Sequence, residues 1–216
     1  MRFVIGLLRQ TWAGLLVLLA LTAVLGVLYP AAVWGVSRIG AGAAEGSPVR
    51  DSTGCVVGSA WVGVDPQVPA REPDPFFHNR VTGSVAGQDP FTPGDPAVAL
   101  PTNQGPSSEI LASFVGERRA AIAARESVSP DAVPADAVTG SGSGIDPHIS
   151  PAYAALQVRR VAEVNGLSET RVRQLVDENT DGRQLGFLGE DRVNVLELNL
   201  ALGLTSPRCT APTAGG

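Results

Sequence analysis

His148 stands two residues after Asp146, close enough for a carboxylate to orient an imidazole for proton transfer. Asp146-Pro147-His148 is equally ordinary turn composition, and neither a serine elbow nor a third triad member can be assigned to it. Gly140-Ser141-Gly142-Ser143-Gly144 offers a run of backbone N–H groups of the kind that cradle phosphate. No Gly-Lys-Ser/Thr follows it, and serine–glycine stretches are commonly flexible connectors. Glu45, Glu109 and Glu190 form no readable carboxylate pair. Cys55 and Cys209 suit either a disulfide in an oxidising compartment or two free thiols. All 16 basic residues are Arg and Lys is absent, which removes the phosphate-loop lysine, the kinase strand lysine and every Schiff-base lysine. With two His and two Cys the chain holds no cluster at zinc spacing. Neither a bound metal nor self-sufficient catalysis is expected.

The elements that must position these residues begin with Thr11 to Val36, a stretch without a formal charge, bracketed by Arg9 and Arg38. A helix needs roughly 20 apolar residues to cross a hydrocarbon core. Trp12, Tyr29 and Trp34 sit toward its ends, where amphipathic rings prefer the interface. Pro30 is expected to kink or end the spanning helix. The stretch is too long for the core of a cleaved signal peptide, although Ala41-Gly42-Ala43 resembles a cleavage site. Arg2 and Arg9 precede it with no acid, which places the short tail in the cytoplasm and residues 37 onward outside. Every acidic residue lies beyond this stretch, in a chain of net charge −5. That surface does not suit nucleic acid or anionic lipid; such an acidic face either raises the local concentration of cations or is simply a solvated surface.

After a Gly/Ala-rich linker, Cys55–Val64 is expected as a strand with a bulge or tight turn. Asp65–Pro106 is proline-rich and excluded from long helices and central strands. Helices are expected over Pro106–Arg125, with Pro106 in the first turn, and from Ser150-Pro151 to about Asn165, stopped by Gly166. Another begins at Ser168 with Val172, Leu175 and Val176 on one face. Ser127–Gly144 reads as a loop between them. Asn194 and Glu197 have capping-box spacing before an apolar run to Leu202; alternating Leu196, Leu198, Leu200 and Leu202 would also suit a strand. Ala162–Val176 has the small residues and glycine turn of a DNA-binding helix-turn-helix, flanked by Arg159, Arg160, Arg171 and Arg173. The same pattern arises in any two helices packed across a glycine turn. The fold class is therefore α+β: residues 1–10 a cytoplasmic tail, 11–36 a transmembrane helix, 37–49 a linker, 50–205 one extracytoplasmic soluble domain with a small sheet, and 206–216 a flexible tail.

Val138-Thr139-Gly140-Ser141-Gly142-Ser143-Gly144-Ile145-Asp146-Pro147-His148-Ile149-Ser150-Pro151 and Phe187-Leu188-Gly189-Glu190-Asp191-Arg192-Val193-Asn194-Val195-Leu196-Glu197-Leu198-Asn199-Leu200-Ala201-Leu202 closely resemble segments that identify the C subunit of the Kdp potassium-transporting ATPase. Ala155–Ala162, Leu175-Val176 and an anchor holding Tyr29-Pro30 are similar too, so the likeness covers nearly the whole chain. Phe76-Phe77-His78-Asn79-Arg80 departs from that pattern with Asn79 where the family has Gly, Val81 where it has Pro, and Val64 where it has Gln. A Gly/Ser stretch usual before Pro101-Thr102-Asn103 is replaced by Asp95–Leu100. Asp51-Ser52-Thr53-Gly54 is similar to the aspartyl-phosphate loop of P-type pumps but lacks its lysine and last threonine, and reads as a surface turn. The resemblance implies an accessory, non-catalytic subunit of a high-affinity ATP-driven potassium uptake pump, in the cell membrane. Its partners would be the catalytic ATPase subunit, a channel-like subunit and lipid, with no nucleic acid and no metal. It would aid assembly and act as a chaperone raising the catalytic subunit's affinity for ATP, with Gln157 contacting the nucleotide. The competing reading of the residues is a membrane-anchored helix-turn-helix regulator; a third is an anchored hydrolase built on Asp146 and His148.

Overall fold

A computed structural model describes residues 2–69, 71–80, 89–91, 101 and 103–204. Cys209, Val81, Asp95–Leu100 and the tail expected over 206–216 lie outside them. The chain divides into two units, Met1–Ser47 and Pro48–Gly216.

The first unit is helical from Arg2 to Ala44, as its run of Leu, Val and Ala favours. Helix α1 (Arg2–Ala23) passes through a π-helical turn (Val24–Leu28) into α2 (Tyr29–Ser37), a 3₁₀ turn (Arg38–Gly40) and α3 (Ala41–Ala44). Pro30 neither ends the helix nor stands in an undisturbed one. A proline ring collides with the carbonyl four residues earlier and cannot donate to it. The wider turn just before Pro30 absorbs this, with Tyr29 N–H reaching back to Val24 O. The helical backbone spans 43 residues and buries no side chain. It outruns 11–36 at both ends because Arg2 and Arg38 oppose entry into hydrocarbon, not helix formation. At its far end Arg38 pairs with Glu45 at 2.6 Å and lies 5.5 Å over the Trp34 ring.

The second unit opens with an antiparallel hairpin, β1 (Pro48–Arg50) and β2 (Val56–Ser59), bulged between Val49 and Arg50. Its turn is Asp51-Ser52-Thr53-Gly54. Asp51 Oδ1 accepts from Thr53 N–H, Thr53 O–H and Cys55 N–H, and Gly54 takes φ +85°, open to glycine at no steric cost. That carboxylate is occupied as a turn brace. The remaining elements are α4 (Glu109–Glu126), a 3₁₀ turn (Pro130–Ala132), α5 (Ala135–Val138), β3 (His148–Ile149), α6 (Pro151–Asn165), α7 (Glu169–Glu178), β4 (Thr180–Asp181), β5 (Arg192–Asn194) and α8 (Val195–Ala201). A second sheet has β5 at its centre, antiparallel to β3 and β4, with Ile149 opposite Val193 and Thr180 opposite Val193.

Four of these helices start at side-chain caps. Ser108, Ser150, Ser168 and Asn194 accept from the N–H groups of Leu111, Tyr153, Arg171 and Glu197. The Asn194 cap settles the last element as a helix, since the alternating leucines follow it directly. Helix α4 begins after Pro106, not at it. The stretch Ser127–Gly144, expected as loop, holds the two short turns that Pro130 and Pro134 pre-set. The core gathers Ile122, Val138, Ile149, Val161, Val172, Val193 and Leu198 from α4 through α8. The fold is mixed α+β, as expected.

Candidate functional site

Asp65–Pro69 and Arg71–Arg80 belong to a proline-rich strap that, among the described residues, joins no sheet. A strap without a strand partner must satisfy its buried backbone groups some other way. Two carboxamides do it. Gln157 Oε1, on α6, accepts from His78 N–H at 2.8 Å, and Gln157 Nε2 donates to His78 O at 3.2 Å. Asn199, on α8, repeats the arrangement one residue earlier: Phe77 N–H to Asn199 Oδ1 at 2.8 Å and Asn199 Nδ2 to Phe77 O at 2.9 Å. Each amide side chain stands in for a peptide group of an adjacent strand. Phe77 and Gln157 are fully buried.

Helix α6 supplies two more clamps. Arg160 Nη1 donates to Asp74 O at 2.7 Å and Phe76 O at 2.9 Å, and Asn165 Nδ2 donates to Pro75 O at 2.9 Å. Arg160 Nε also meets Glu126 Oε2 at 3.0 Å. Glu126 in turn holds Arg125, whose Nη2 donates to the Tyr153 hydroxyl at 2.9 Å.

His78 sits at the centre with both ring nitrogens on carboxylates, Nδ1 at 3.0 Å from Asp65 Oδ2 and Nε2 at 2.7 Å from Asp74 Oδ2. Only an imidazolium donates at both positions. Burial opposes that charge, but the bonds to Asp65 and Asp74 outweigh it and hold the His78 pKa above the ordinary histidine value. Asp74 is held below the usual carboxylate value: burial works against it, and His78, Arg160 and the Phe76 N–H overcome it.

Asp146 and His148 are together, with Nδ1 3.1 Å from Oδ1. Asp146 also pairs with Arg80 at 3.0 Å, and His148 packs edge-on against Trp61. Among the described residues the hydrogen bond given for the His148 ring is the one to Asp146, and His148 N–H also donates to Asp146 Oδ1 at 3.0 Å. In the Gly140–Gly144 loop Gly144 N–H donates to Ser141 Oγ, and just past it Ile145 N–H donates to Ser143 Oγ. Gly63 packs against Asp146 so closely that a Cβ there would lie 2.5 Å from Asp146 O. Cys55 is buried and disulfide-bonded.

The helix pair α6–α7 does turn on Gly166, at φ +66°, but three of its four arginines face carboxylates of the same chain. Arg160 is consumed as described, Arg173 pairs with Glu169 at 3.0 Å and Arg171 with Glu178 at 3.9 Å. The geometry does not favour a DNA-reading motif. Gln157 exposes no atom, and a large groove beside the strap, about 710 Å³, is lined by apolar residues with Asp65 and Glu72 as its charged members. A polyphosphate would meet repulsion there.

Asp65, Asp74 and Asn199 carry much of this site and were missed from sequence. Asn199 had one signal, a carboxamide at a core position of the leucine run.

The chain matches the family described as KdpC, K⁺-transporting ATPase, c chain, over residues 11–203. It is 48% identical over 202 residues to the potassium-transporting ATPase KdpC subunit of Kineococcus radiotolerans, covering 94% of this chain and 97% of the relative. The KdpC subunit of Streptomyces avermitilis is 45% identical over 207 residues, covering 90% and 93%. That of Mycobacterium tuberculosis strain H37Rv is 41% identical over 195 residues, covering 90% and 97%.

Proposed function

The chain belongs to the KdpC family, the c chain of K⁺-transporting ATPases, and from that premise we propose that it is the non-catalytic, membrane-anchored subunit that assembles and tunes an ATP-driven potassium uptake pump. The observation that carries this reading is the apolar helix Arg2–Ala44, which buries none of its side chains. At about 1.5 Å per residue it is long enough to cross a hydrocarbon core, and lipid or the helices of other subunits must cover it. Gly14, where an added Cβ would meet nothing within 4 Å, lets a neighbouring helix approach closely.

The remaining unit supports an accessory role, because each candidate for chemistry is spent on structure: Asp51 on a turn, Asp146 on Arg80 and His148, Gln157 on the strap. We assign this unit to the outer face. The two arginines preceding the apolar stretch favour a cytoplasmic amino terminus, and the disulfide at Cys55 suits an oxidising compartment. There its acidic surface would favour the approach of cations. Its partners are the catalytic and channel-like subunits of the same pump. The gain in ATP affinity is then exerted on the catalytic subunit through assembly, with the nucleotide held there and Gln157 acting through the strap that it fastens.

The test is ATP-dependent potassium uptake by vesicles holding the pump with and without this chain. Loss of uptake and of co-purifying subunits in its absence is expected. Full assembly and undiminished uptake without it would overturn the proposal.

A further inference from the structure

Helix α8 closes in a Schellman turn. Gly203 takes φ +81°, its N–H donates to Leu200 O at 2.9 Å, and the Leu204 N–H donates to Asn199 O at 3.1 Å. The closure folds Leu204 back toward its own helix, where it lines the large groove together with Leu196 and Leu200 of α8 and Val57 and Gly58 of β2. The two walls pack tightly, for a Cβ on Gly58 would lie 2.9 Å from Leu196 Cδ2. The chain therefore continues past Leu204 from inside the groove.

Cys55 stands at the other wall. Successive side chains of an extended strand point to opposite faces, and Cys55 is 2% exposed where Val56 is 51% exposed. Cys55 thus shares the inner face with Val57, which lines the groove. Cys55 is disulfide-bonded, and the one other cysteine in these 216 residues is Cys209. Cys209 comes five positions after Leu204, a length of chain that spans at most about 18 Å.

We propose that residues 205–209 are the occupant of this groove, entering it at Leu204 and fastened at its far wall by a Cys55–Cys209 disulfide. Charge agrees with that occupant. Arg208, next to the cysteine, is the charged residue of the segment, and the charged residues lining the groove, Asp65 and Glu72, are both acidic. Pro207 brings an apolar surface to a wall that holds Pro66 and Pro69. Both ends are tied to the groove, so docking is an intramolecular event at high effective concentration. The bond also makes the occupancy reversible. A dithiol reductant passes two electrons to the disulfide and becomes a disulfide itself, while its two protons leave thiols on Cys55 and Cys209. The groove is then open to the surface of another molecule.

The experiment uses the full chain in lipid nanodiscs, purified without reductant. After free thiols are blocked and the protein is denatured, trypsin should release the peptides 51–71 and 209–216 as one linked species that a phosphine separates. Blocked thiols on both peptides, or a Cys55–Cys55 link between two copies, would overturn the proposal. Occupancy is read by placing photoreactive p-benzoylphenylalanine at position 206. Crosslinks are expected on residues 57–68 or 195–204, and should fall at least about tenfold once the bond is reduced. Crosslinks to lipid, to a second copy or to another part of the domain would refute it, as would a yield that reduction leaves unchanged. Where reduction unfolds the unit, the position of the crosslink in the oxidised chain decides. Neither measurement reads potassium uptake, so failure here leaves the assignment as a pump subunit standing.

Discussion

Replacing Gln157 with Leu keeps the side chain's approximate volume and removes both of its hydrogen-bonding atoms. The His78 N–H and His78 C=O, now met at 2.8 and 3.2 Å, would be left buried and unpaired. Each such group costs about 1–3 kcal/mol, so the substitution should destabilise the soluble unit by roughly 2–6 kcal/mol, against a total stability of about 5–15 kcal/mol for a typical domain. For a unit of this size each kcal/mol lowers the midpoint by roughly 2–4 °C, which places the expected fall at roughly 4–24 °C. Thermal unfolding of the full chain in detergent, followed by circular dichroism, reads it. Gln157→Glu sharpens the test. It keeps an acceptor for His78 N–H but, when ionised, has no donor for His78 C=O. Its deficit should shrink as the pH falls and the carboxyl gains a proton. The reasoning is refuted if Gln157→Leu melts within about 1 °C of the parent while the pump's apparent affinity for ATP drops, because Gln157 would then act by contact with a ligand and not by holding the strap.

His78 predicts a pH dependence whose sign follows from its raised pKa. Its contribution should be complete below the ordinary histidine value of 6.5 and fade as pH climbs through the folded-state value. Asp74, held below 3.8, loses its contribution in the opposite direction, as pH drops through its lowered value. Stability should therefore peak between the two, and His78→Gln should flatten the alkaline limb of a midpoint-against-pH curve; an unchanged limb would remove His78 as its cause. Gly63→Ala puts a Cβ 2.5 Å from Asp146 O and 2.8 Å from Pro147 Cα, both backbone atoms that cannot swing aside. A loss of about 1–3 kcal/mol, as for other overpacked sites, should appear as a lower urea midpoint at unchanged slope, and equal midpoints would show that the contact relaxes freely.

Local chemistry wrote much of the fold where a reader of the sequence can find it. The membrane-length run needs only composition. Ser150, Ser168 and Asn194 cap helices because their side chains reach an N–H three residues on. Gly166 ends α6 because the left-handed turn there excludes most side chains. Even the departure at Pro30 is local, a wider turn accommodating a missing donor. The family segments, too, lie in consecutive residues.

The candidate site could not be read this way. Gln157 meets His78 across 79 positions, Asn199 meets Phe77 across 122, and Asn194 reaches Ala60 O across 134. A carboxamide that replaces a strand leaves no period in the sequence, and a proline-rich strap looks like any loop until the helices beneath it are placed. Pattern reports what a residue does to its own backbone. Which distant backbone it completes is decided only when packing brings the two together, and here that choice made Gln157, with the His78 backbone it meets, a fastening of the domain.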